Sequence, residues 1–93
     1  MVINRNTVSI INKDILVTEI DDEIGMLNIE KGNYYTVNPV GKRIWELLNN
    51  EMKTSDIIGI LLKEYEVEAN ECEQDVLEIL NSMYENGLIL VTN

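Results

Sequence analysis

The stretch KGNYYTVNPVGKRIWELL, Lys31 to Leu48, passes from a turn to a strand to a helix without a break. Lys31-Gly32-Asn33 is a turn signal, because Gly and Asn tolerate positive φ. Tyr34 to Val37 reads as a strand. Asn38 is suited to cap a helix, and Pro39 sits where a first helical residue tolerates a missing N–H. Val40, Ile44, Leu47 and Leu48 then recur at helical spacing, with Trp45 on the flank as an expected core residue. The chain therefore switches here from sheet to helix, and each side of the switch extends in its own character.

Upstream lie two more β-prone runs, Ile15 to Ile20 and Ile24 to Ile29, parted by Asp21-Asp22-Glu23. With 34–37 they make a three-stranded antiparallel meander. Val8 to Ile11 is a further short β-prone run whose place the sequence leaves open. Downstream, Asn49-Asn50 ends the first helix, expected over 39–49. Thr54 is a suitable cap for a second helix over 55–65, whose apolar face is Ile57, Ile58, Leu61, Leu62 and Tyr65. Asp56 lies in its first turn, where the helix dipole favours negative charge. A third helix over 69–86 starts either from an Asn70/Glu73 capping box or from Glu68, and Gly87 stops it. Its apolar positions are Cys72, Val76, Ile79, Leu80, Met83 and Tyr84. Leu88 to Val91 is a terminal strand or extended tail. Strands followed by helices, without alternation, predict an α+β domain with a small antiparallel sheet on three helices, not a parallel α/β sheet.

The 93 residues suit one domain, 1–93, and 45% apolar content suffices for a core. The net charge is −10, and all seven basic residues lie at or before Lys63. Nucleic-acid binding draws most of its affinity from cations on phosphate, so this distribution argues against it, and an acidic surface can steer a basic peptide instead. A lone cysteine, Cys72, permits no intrachain disulfide and fits a reducing cytoplasm. Residues 1–12 lack the pattern of a signal peptide, and no run approaches the roughly 20 apolar residues of a membrane span. A cytoplasmic chain without membrane contact is the expectation.

Candidate chemistry is sparse. Histidine is absent, so Ser-His and Cys-His catalysis within the chain are excluded. Cys72 falls among glutamates on an apolar helix face, where its thiol pKa would rise, so it reads as a buried structural thiol. Asp21-Asp22-Glu23 lacks the spaced ligands and glycine of a calcium loop and reads as a solvated turn. Five scattered glycines form no phosphate loop. Neither metal nor cofactor is expected. Because alternate strand residues face opposite sides, one ring of Tyr34-Tyr35 serves sheet packing and the other is a candidate to line a groove. A helix-turn-helix reading fails on charge, since the third helix carries no Lys or Arg. What remains is the meander's edge, whose unpaired N–H and C=O groups can template a peptide strand.

The segment Met26-Leu27-Asn28-Ile29, Lys31-Gly32-Asn33-Tyr34-Tyr35-Thr36-Val37-Asn38 and Val40-Gly41-Lys42-Arg43-Ile44-Trp45-Glu46-Leu47-Leu48 resembles the PqqD family. Asp21-Asp22 precedes it, and Glu64-Tyr65-Glu66-Val67, Asp75-Val76-Leu77 and Asn86-Gly87-Leu88-Ile89 match the family's later landmarks, so the resemblance covers about Ile15 to Val91. It departs at Glu68-Ala69, where relatives often carry Asp-Pro. The resemblance implies a winged-helix-like fold and a non-catalytic recognition element for ribosomally made precursor peptides. It further implies that a leader peptide adds as a strand to Asn33, Tyr34, Tyr35, Thr36 and Val37, facing Asp75, Val76, Ile79, Leu80 and Met83 of the third helix. Relatives serve lasso-peptide assembly, pyrroloquinoline quinone synthesis and radical-SAM peptide modification. A free-standing chain with a short N-terminal arm is most similar to the lasso-peptide partner of a leader peptidase. The alternatives are a chaperone for a radical-SAM peptide-modifying enzyme, a structural subunit of a larger synthetase, and a winged-helix transcription regulator.

Overall fold

A computed structural model describes residues 2–93. Its elements are β1 (Val8–Ile11), β2 (Ile15–Ile20), β3 (Glu23–Asn28), β4 (Asn33–Val37), α1 (Pro39–Leu47), β5 (Met52–Lys53), α2 (Thr54–Glu64), α3 (Ala69–Glu85) and β6 (Ile89–Val91). The architecture is α+β, with the expected meander in the order β2-β3-β4 and every pair antiparallel. Asp21-Asp22 makes a two-residue turn between Ile20 and Glu23, with Asp21 at φ 55°. Gly32, at φ 71°, closes the second hairpin, a conformation that costs glycine little.

A second sheet joins segments far apart in sequence, in the order β5-β1-β6. The run Val8 to Ile11 is its centre, pairing with Met52–Lys53 on one side and Ile89–Val91 on the other. Thr54 does not cap α2 as its position suggested. It is the first residue of the helix, fully buried, and its hydroxyl donates to the Thr7 carbonyl at 3.1 Å. Its side chain thus ties α2 to the N-terminal segment. Ile3 is held similarly: Asn81 of α3 accepts from its N–H at 2.9 Å and donates to its carbonyl at 3.2 Å.

The other caps follow local chemistry. Asn38 accepts from the Gly41 N–H at 2.9 Å, worth about 1 kcal/mol for such a cap. Glu68 opens α3, accepting from the Asn70 N–H at 3.2 Å. The helices close on a core drawn from Ile24 and Met26 of β3, Ile44 and Trp45 of α1, Ile57, Ile58 and Leu61 of α2, and Cys72, Val76, Leu80 and Met83 of α3. Full burial of one such side chain stabilises by about 1.5–3 kcal/mol. Outside the core, the Arg43 guanidinium grips the Glu64 carboxylate, with its closest contact at 2.7 Å, and links α1 to the end of α2. The pair lowers the Glu64 pKa and raises that of Arg43.

Candidate peptide-binding groove

The meander is open at β4, which pairs with β3 on one side only. Its outer edge therefore offers unpaired backbone donors and acceptors. Beside that edge runs α3, and between them lies a groove of about 430 Å³. Tyr35, Thr36, Val37 and Asn38 form the strand wall, and Asp75, Glu78, Ile79, Ser82 and Met83 form the helix wall. Val40 of α1 and Leu88 complete the lining.

Local packing sets the groove's width. Gly41 allows α1 to approach the end of β4, because a Cβ there would lie 2.7 Å from that of Val37. At the other end, the Tyr35 hydroxyl donates to the side-chain carbonyl of Asn86, the residue that caps α3. Asn86 is held in turn, since its amide donates to the Ser82 carbonyl at 2.8 Å and its own carbonyl accepts from Asn28 at 3.2 Å. The strand and the helix are thereby pinned together at that end.

Of the residues expected to contact a peptide, the structure brings together Tyr35, Thr36, Val37, Asp75, Ile79 and Met83. Asn33 lies at the hairpin turn opposite Asn28, outside the groove lining. Tyr34 is 56% exposed, on the opposite face of the strand from Tyr35, with its ring across Gly25. Leu80 is fully buried in the core and does not reach the groove. Val76, also buried, lines a smaller recess of about 80 Å³ with Leu61, Tyr65, Val67, Cys72, Asp75 and Val40. The reason is helical phase. Cys72, Val76, Leu80 and Met83 form the stripe that faces the core, while Asp75, Ile79 and Ser82 lie one position earlier and are rotated by about 100° toward the strand. Asn38, Val40, Glu78, Ser82 and Leu88 were not anticipated. Glu78 and Ser82 were within reach of sequence reasoning, since they lie one turn from Asp75 and Ile79. Leu88 was not, because it follows the helix stop.

The chain's one thiol, Cys72, lies outside the groove lining. Cys72 is buried and 5% exposed, and burial first, then the nearby Asp75 charge, pushes its thiol pKa up. A raised pKa favours the neutral thiol, so the protein gains no thiolate at neutral pH, and this contribution to stability is lost only as pH climbs past the ordinary thiol range. We expect the folded protein at pH 8 to react with a thiol reagent at least roughly tenfold more slowly than in denaturant. Equal rates in the two states would contradict the burial. Among the described residues no group of three or more His, Cys, Asp or Glu is placed to hold a metal ion, and no helix is long and apolar enough to cross a membrane.

A family model described as coenzyme PQQ synthesis protein D (PqqD) matches residues 23–89, which run from the start of β3 to the start of β6. No curated protein matches the chain in sequence. Two solved structures are similar to it. One is TbiB1 in complex with the TbiA(beta) leader peptide, at TM-score 0.77 and 29% identity, covering 86% of this chain and 93% of that one. The other is lasso peptide synthetase B1 complexed with the leader peptide, at TM-score 0.76 and 28% identity, covering 88% and 96%.

Proposed function

The chain belongs to the PqqD family, and from that premise we propose that it binds the leader segment of a ribosomally made precursor peptide in lasso-peptide biosynthesis. The observation that carries this reading is the open β4 edge facing α3 across an accessible groove. Two similar structures, each bound to a leader peptide, support it. Strand addition supplies main-chain hydrogen bonds, and the groove residues supply selectivity. Binding and release of a peptide require no catalytic group, so the domain acts as an adaptor. It presents the precursor to a partner modifying enzyme or leader peptidase, where tethering raises the substrate's effective concentration. The setting is cytoplasmic, where precursor peptides are made.

Isothermal titration with the synthetic leader of the precursor encoded beside this chain's gene tests the reading. Saturable binding of one peptide per chain is expected. Absence of binding by that leader and by leaders of neighbouring precursor genes would overturn it.

The regulator alternative makes the opposite demand on charge. The net charge is −10, and α3 carries no Lys or Arg along its 17 residues. A mobility-shift assay at about 50 mM salt, where phosphate contacts are strong, is expected to give no DNA complex. A salt-dependent shift with purified protein would contradict the adaptor reading.

A further inference from the structure

The two walls of the groove differ in charge. The β4 wall contributes backbone, Tyr35, Thr36 and Val37, with no Lys, Arg, Asp or Glu. The α3 wall presents Asp75 and Glu78, three residues apart on one side of the helix and both exposed. Neither carboxylate has an ion-pair partner among the described residues, whereas Glu19, Glu46, Glu64 and Glu73 each have one. Among the described residues no Lys or Arg lines the groove.

A peptide strand laid along β4 turns alternate side chains toward α3. It also covers the groove and strips water from both carboxylates. Burying a carboxylate without a counter-ion is unfavourable, and a cation brought by the ligand offsets that loss. An acidic side chain at the same place meets two like charges. The neighbouring Ile79 and Met83 accept apolar side chains on the same face.

We propose that Asp75 and Glu78 are specificity-determining residues that select a basic leader, one whose inserted strand turns a Lys or Arg toward α3 within two residues of an apolar side chain. The inference rests on the strand-addition reading and adds the chemistry of the ligand to it.

The test is selection from a display library of random peptides of about 12 residues, carried out on the full chain. Three forms are compared: wild type, the double variant Asp75→Asn with Glu78→Gln, and the double variant Glu71→Gln with Glu85→Gln. The last two lose the same net charge, but only the first of them changes the groove. Lys or Arg at one fixed spacing from the apolar positions is expected to be enriched roughly five- to tenfold for wild type and for the Glu71/Glu85 variant. That enrichment should vanish for the Asp75/Glu78 variant, while the apolar preference persists. A wild-type pool of binders without a basic preference, or equal loss in both double variants, overturns the proposal and leaves strand addition standing. A library that yields no binder to wild type overturns both.

Discussion

Replacing Ile79 with Asp is expected to lower affinity for the leader peptide by more than about tenfold while the protein remains folded. Ile79 is half-buried at the groove, packed against the core on one side and open to the groove on the other. In the free protein an Asp there keeps contact with water through the groove. With a peptide in place, the same carboxylate is covered beside Asp75 and Glu78 and has no partner, which is unfavourable by several kcal/mol. The effect therefore falls on the complex more than on the free chain. Calorimetric titration gives the affinity, and a circular-dichroism melt checks that Tm falls by only a few degrees. Unchanged affinity in a folded Ile79→Asp protein would remove α3 from the binding site.

Leu80→Ala should do the reverse. Leu80 is fully buried one residue further along the helix, in contact with the core and not with the groove. Truncating a buried leucine costs about 2–5 kcal/mol, through lost transfer energy and the cavity left behind. For a chain of this size that lowers Tm by roughly 10–30 °C. Measured well below the transition, leader affinity is expected to change by less than about threefold, because the groove wall is formed by other residues. A Tm drop of only a few degrees would mean that Leu80 does not face the core. A large affinity loss in the folded variant would mean that the core and groove faces of α3 are not separate. Together the two substitutions, adjacent in sequence, separate binding from stability.

Adjacent residues with such different roles mark where the sequence was legible. The meander and the three helices were read from local signals, namely hydrophobic period, Gly32 at a turn and Asn38 as a cap, and each element lies within a residue or two of its expected bounds. The second sheet was not readable. Met52–Lys53 is two residues long, and its pairing with Val8 and Ser9 depends on contacts more than 40 positions apart. Thr54 illustrates the same limit: a residue suited to capping was drawn into a long-range bond with Thr7 instead.

The groove was legible in part for a related reason. Alternation along β4 required that one tyrosine turn away from the groove, yet did not say which, and the structure assigns the groove to Tyr35, which lines it and bonds to Asn86. On α3 the apolar stripe was easy to find, but apolar residues are as good at filling a core as at lining a site. Val76 and Leu80 went to the core, and the groove took the half-polar stripe of Asp75, Glu78, Ile79 and Ser82 beside it. That division depends on where α1 and α2 pack, which no local pattern encodes.

The central claim is that a leader peptide joins the edge of β4 and packs against α3. Amide proton and nitrogen shifts, recorded on the full chain as the leader is titrated, test it residue by residue. The account predicts the largest changes at 33–37 and 75–83, with the outward-facing amides of β4 becoming protected from exchange as they gain hydrogen bonds to the peptide. Tight binding whose shifts fall on α1 or α2, with the amides of β4 still exchanging freely, would contradict it.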